Sequence, residues 1–154
     1  MTSELRLHPE VDKVLRAAGW TPERAVDARQ WTDVLVPEGY RFSPAAEAML
    51  TRFGGLSIEP PPRPELSVQC DRFDFDPIGS ASGELDRFEE WERFAGRELA
   101  PVGAVADWIL CADEEGQLYI GSHGELEVLG PLGRALEYLC LGRGEPRSLG
   151  REQE

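Results

Sequence analysis

The chain predicts an α+β fold: an antiparallel, mixed-order sheet with helices packed mainly on one face. Three observations carry this. Up to Phe53, each apolar segment repeats at helical period, opens at a proline and is followed by a glycine. Beyond Gly54-Gly55, most apolar segments are short or alternate with polar residues, as strands do. Two later segments, 84–99 and 131–141, return to helical period.

Residues 9–18 form the first predicted helix. Pro9 suits the opening position, Val11, Val14, Leu15 and Ala18 share a face, and Gly19 ends it. Thr21-Pro22 supplies a cap and a first position for a second helix. Its stripe is Ala25, Ala28, Trp31 and Leu35, and Gly39 is its stop. Ser43-Pro44 repeats the device for a third, with Ala46, Met49, Leu50 and Phe53 facing inward. Gly54 is expected in the left-handed position just past this helix, and Gly55 where backbones approach closely.

Leu56-Ser57-Ile58 then starts the sheet. Pro60, Pro61, Pro62 and Pro64 break the strand and force an extended, exposed loop. Residues 66–70 alternate and predict a second strand. The alternation continues through 71–76, with Phe73 and Phe75 on one face and Asp74 and Asp76 on the other. Residues 77–83 read as a loop of small residues. In the helix predicted over 84–99, Leu85, Phe88, Trp91, Ala95 and Leu99 make the buried stripe. Asp86 and Glu90 point away from it, and Glu89 sits on the flank.

Pro101-Val102-Gly103 leads into a central strand over 108–112. Asp113-Glu114-Glu115-Gly116 is a solvated hairpin tip, with Gly116 free to take positive φ. The chain returns over 117–121, turns at His123-Gly124, and begins a third strand at Leu126. Leu132, Ala135, Leu136 and Leu139 fit a last helix stopped at Gly142. One domain over 1–142 follows, with 143–154 expected to be a frayed, disordered tail.

Composition narrows the function. The 154 residues and 41% hydrophobic content support one domain with a real core. The formal charge is −13, and it is concentrated: residues 71–130 hold fifteen acids against four arginines. Such a surface disfavours nucleic acid and anionic membrane, and favours a basic protein partner. Cys70, Cys111 and Cys140 lie far apart in apolar runs, as free buried thiols do. No signal peptide or membrane-spanning run is evident, so a cytoplasmic location is expected.

Catalytic chemistry finds little footing. His8 and His123 have no second histidine or cysteine at ligand spacing, so no zinc site is expected. His123 beside Ser122 lacks a rigid frame for nucleophilic catalysis. Asp113-Glu114-Glu115 does not continue into a calcium loop. Asp74 with Asp76, or Glu89 with Glu90, lacks the sugar cleft that a glycosidase pair needs. No phosphate-binding or dinucleotide loop occurs. No metal and no cofactor is expected, and the chain does not read as an enzyme.

The order of motifs carries a resemblance. Gly19-Trp20, Arg24, Val26, Trp31, Leu35, Gly39-Tyr40 and Phe53-Gly54-Gly55-Leu56 come first. Pro101-Val102-Gly103, Asp113-Glu114, Gly116, Tyr119, Leu129-Gly130 and Ala135-Leu136 follow. Over roughly 10–142 this set resembles the immunity proteins of the SUKH superfamily, in particular its third subgroup. The resemblance implies an α+β fold and a non-enzymatic role: binding and blocking a cognate toxin of a polymorphic or contact-dependent system. It implies structural roles for Trp31, Gly54, Gly55, Gly103 and Tyr119, and does not locate the binding surface.

The acids supply the candidate surface. Asp74, Asp76, Asp86, Glu89 and Glu90 are the expected contacts to a basic toxin, a nuclease among the possibilities, since a nuclease must hold phosphate. The alternative is a general protein-interaction or scaffold module of the same fold without a toxin. A carboxylate hydrolase is a third class, and it requires a deep cleft with two facing acids.

Overall fold

A computed structural model describes residues 7–151. Three helices come first: α1 (Pro9–Ala17), α2 (Arg29–Leu35) with a 3-10 turn over Val36–Glu38, and α3 (Pro44–Phe53). Strands β1 (Ser57–Ile58) and β2 (Phe73–Asp74) follow, then helices α4 (Pro77–Ala81) and α5 (Leu85–Ala95). The meander β3 (Ala100–Val105), β4 (Trp108–Ala112), β5 (Gln117–Ser122) and β6 (Glu125–Pro131) leads to α6 (Leu132–Leu141) and β7 (Arg147–Arg151).

Among the described residues, all seven strands join one sheet, each antiparallel to the next. The α+β class is as the sequence predicts. Strand order is simply the chain order rather than mixed, because every connection returns the chain beside the strand it left.

Alternation along the strands builds two apolar layers. Leu110, Ala112, Leu118 and Ile120 face a core shared with α1, α3 and α6, centred on Leu15, Phe53 and Leu136. Ile109, Cys111 and Tyr119 face the opposite layer, filled by Phe88 and Trp91 of α5 with Leu35 and Tyr40. Three helices thus cover one face, while α5 seals the other. The Trp91 indole N–H donates to the Ser122 carbonyl at 3.1 Å, which pins α5 to the end of β5.

Local signals explain the elements that agree with expectation. Ser43 Oγ accepts from Ala46 N–H at 3.1 Å and caps α3. Gly142 ends α6 in the left-handed conformation. The joint after α3 reverses the expected glycine roles. Gly54 has φ −54°, and a Cβ there would fall 2.3 Å from the Trp31 ring, so Gly54 permits close approach. Gly55 is the left-handed residue, at φ +85°, and its N–H donates to the Phe75 carbonyl at 3.0 Å.

Other segments differ from expectation. The second helix begins at Arg29, not at Pro22. Arg24 N–H bonds the Thr21 carbonyl and Val26 N–H reaches across to Thr51, so tertiary pairing takes residues 21–28 out of helix. Residues 66–70 form no strand, because their alternation finds no neighbouring strand. Pro77–Ala81 is helical where a loop was expected, capped by Asp76, whose Oδ1 accepts from Ile78 N–H at 3.2 Å. Residues 100–105 form a strand of their own. The expected tail contains β7, which pairs with β6 from Arg147 opposite Val128 to Arg151 opposite Glu125.

Candidate partner interface

The five predicted acids fall into two groups. Asp74 and Asp76 meet beside the start of α4: Asp76 N–H donates to Asp74 Oδ1 at 3.0 Å. Phe73 and Phe75, on the other face of this stretch, are fully buried, as the alternation requires. Asp76 is exposed and Asp74 half-buried. Burial, more than any other influence, pushes the Asp74 carboxyl above its ordinary pKa. With Glu84 and Asp107 they border a depression of about 370 Å³, which Arg87 and Trp108 also line.

Asp107 and Glu84 are members that sequence reasoning missed. Asp107 sits in the two-residue turn Ala106-Asp107, where Ala106 has a positive φ of 52°. Two short residues between apolar runs were the available signal for that hairpin.

Asp86, Glu89 and Glu90 lie on α5. Asp86 and Glu89 are exposed and Glu90 is half-buried. Glu89 borders a broader groove of about 670 Å³ between α5 and the 39–41 segment, with Glu92, Arg93, Glu98 and Glu114 along it. Burial raises the Glu92 carboxyl above its ordinary pKa, while its Oε2 accepts from Leu99 N–H at 2.9 Å. Asp86 and Glu90 line neither hollow, and the depression beside Asp74 and Asp76 and the groove beside Glu89 are separate. Between them, Arg87 bonds Glu84 at 3.1 Å and contacts His123 Nε2 at 2.9 Å. His123 is exposed, as the turn predicts.

The hairpin acids behave differently. The tip was expected to be solvated, yet Asp113 is fully buried. Its Oδ1 accepts from Glu115 N–H at 2.9 Å and Gln117 N–H at 3.0 Å, and its Oδ2 accepts the Tyr119 hydroxyl proton at 2.7 Å. Arg97 pairs with both Asp113 and Glu115. Burial, reinforced by the bond to Asp113, raises the Tyr119 hydroxyl well above the ordinary tyrosine range. Asp113 therefore holds the turn together, and only Glu114 and Glu115 face solvent.

All three cysteines are free thiols, Cys111 and Cys140 buried and Cys70 half-buried. Among the described residues, no group of three or more His, Cys, Asp or Glu is placed to hold a metal ion. No described helix is long and apolar enough to cross a membrane.

The positions singled out by the motif order sit at structural joints. Arg24 Nη2 donates to the Gly54 carbonyl at 2.6 Å, Trp31 packs over Gly54, and Gly103 lies against the Asp74 carbonyl. No curated protein and no solved structure matches the chain. A family model described as SUKH-3 immunity protein matches residues 7–142, and thus takes in every described helix, the joint at Gly54-Gly55 and the sheet through β6. The chain belongs to the SUKH-3 immunity protein family.

Proposed function

We propose that this protein acts in the cytoplasm, where it neutralises a cognate bacterial toxin by binding it stoichiometrically, with its acids meeting a basic toxin surface. The family match over 7–142 carries the immunity role. The acidic version rests on the charge of 71–130, where fifteen acids stand against four arginines. Asp76 caps α4 and Asp86 and Glu89 stand on α5, all three exposed, so their backbone is already in place to meet a basic partner. A nuclease fits best, because a site that grips phosphate is itself basic.

Co-expression with the toxic product of the neighbouring gene tests immunity directly: growth is rescued by this chain and not by an empty vector. Association rates measured against salt test the electrostatic part. The rate falls steeply as ionic strength rises. A flat salt dependence would remove the acidic mechanism and leave immunity standing.

A further inference from the structure

The loop between β1 and β2 has features that the acidic reading does not use. Residues 59–72 form no helix or strand. Loops of that length in compact domains are commonly functional. Residues 59, 60, 61 and 63 each precede a proline, which drives them extended, and the prolines fix their own φ near −65°. The first part of the loop is therefore a polyproline-type run with few backbone donors.

The second part is clamped from within. Gln69 Oε1 accepts from Arg63 N–H at 2.6 Å, and Gln69 Nε2 donates to the carbonyls of Arg63 at 2.9 Å and Leu66 at 3.2 Å. Leu66 seats against the end of α6, where a Cβ on Gly142 would fall 2.9 Å from Leu66 Cδ1. Arg63, the loop's basic residue before Cys70, is neutralised by Glu65 at 2.8 Å. This clamped frame turns apolar groups outward. Pro61, Pro62 and Pro64 are exposed, and Val68 is 80% exposed, against 50% for Val36 and 45% for Val34. Beside Val68 lies a hollow of about 270 Å³ walled by Val105, Tyr138 and Leu139.

Prolines also keep a second chain off the edge of β1, because they cannot donate to a ladder. That accounts for Pro60 and Pro61 following the strand. It does not account for an outward Val68, the glutamine clamp or the apolar hollow.

We propose that this loop is a second contact to the cognate protein toxin: aromatic side chains of the toxin pack on the proline rings and Val68, and one enters the hollow. Proline runs are read by aromatic surfaces in this way, and a pre-clamped loop loses little entropy on docking. The loop carries Glu59, Glu65 and Asp71 against Arg63 and Arg72, a slight acidic excess that suits a basic partner. The inference rests on the immunity reading and adds an apolar anchor to it.

Affinity for the neighbouring gene's toxic product tests it, with growth rescue measured in parallel. Val68→Asp weakens binding by about tenfold or more, while Val68→Ile retains it, with circular dichroism and Tm unchanged for both. Gln69→Ala weakens binding less and mainly slows association, since the loop must then be ordered on docking. Wild-type rescue combined with equal affinity for wild type and Val68→Asp overturns the loop contact and leaves immunity intact. Failure of the wild type to bind or rescue overturns both. A wild-type dimer that Val68→Asp dissociates, with toxin affinity unchanged, assigns the patch to a second copy and also overturns the proposal.

Discussion

Two acid runs look alike in the sequence and end in opposite places. Asp74 and Asp76 stand on the rim of a depression, one half-buried and one exposed. Asp113 is sealed inside its hairpin, although it opens the most acidic tripeptide of the central sheet. Available donors make the difference. Two backbone N–H groups, the Tyr119 hydroxyl and the nearby Arg97 guanidinium surround Asp113. Asp74 gains the Asp76 N–H, the Ala104 backbone and the charge of Arg72, but burial outweighs them and holds its carboxyl above the ordinary range. An acid's role follows from the donors that its fold delivers, which local composition does not reveal.

Breaking the buried member has the largest effect. Asp113→Ala leaves two backbone donors and a phenol without their acceptor, and lowers stability by about 3 kcal/mol in urea unfolding. A loss under about 1 kcal/mol would erase the distinction between the runs. Next comes the support of the exposed run. A Cβ on Gly103 would fall 1.9 Å from the Asp74 carbonyl oxygen, so Gly103→Ala pushes β2 off β3 and costs about 2 kcal/mol. The same substitution moves Asp74 and shows up in its carboxyl NMR shift.

Much of this was legible in the chain, and the exceptions have physical reasons. Ser43-Pro44, Gly116 and Gly142 announce their caps and turns through their own covalent limits. Thr21-Pro22 carries the same local signal as Ser43-Pro44, yet Val26 gives its N–H to Thr51 instead of to a helix. β7 pairs with β6 across an intervening helix, and nothing within Arg147–Arg151 encodes that partner. Asp74 and Asp76 could be paired from their spacing. Glu84 and Asp107 could not, because the β3–β4 turn and α4 bring them there. Asp113's burial depends on Tyr119 and on Arg97, sixteen residues before it, so a run of three acids read as a wet turn.

Smaller effects sharpen the comparison. The Asp74 carboxyl holds its proton more tightly folded than unfolded, so ionising it opposes folding and stability contributed there grows as pH falls. Asp74→Asn therefore raises Tm at pH 7, by an amount worth under about 1 kcal/mol given its partial exposure. The gain shrinks as pH drops into the ordinary carboxylate range, where the wild type protonates too. A Tm advantage independent of pH would assign the gain to something other than charge. The smallest stability effect belongs to α5. Neutralising Asp86, Glu89 and Glu90 together as amides changes stability by no more than about 0.5 kcal/mol. It slows association with a basic toxin and flattens the salt dependence.

The strand order has a further consequence, for how the molecule assembles. From β3 to β6, each strand closes on the next through a short turn, so these pairings require little loop-closure entropy. The β1–β2 ladder must bridge the proline loop and joins only two residues on each side. Folding should then begin in the meander and finish at the N-terminal edge. The same order sets a gradient of endurance in the finished sheet: amide hydrogens of β4 and β5 exchange last, while those of β1 and β2 open first.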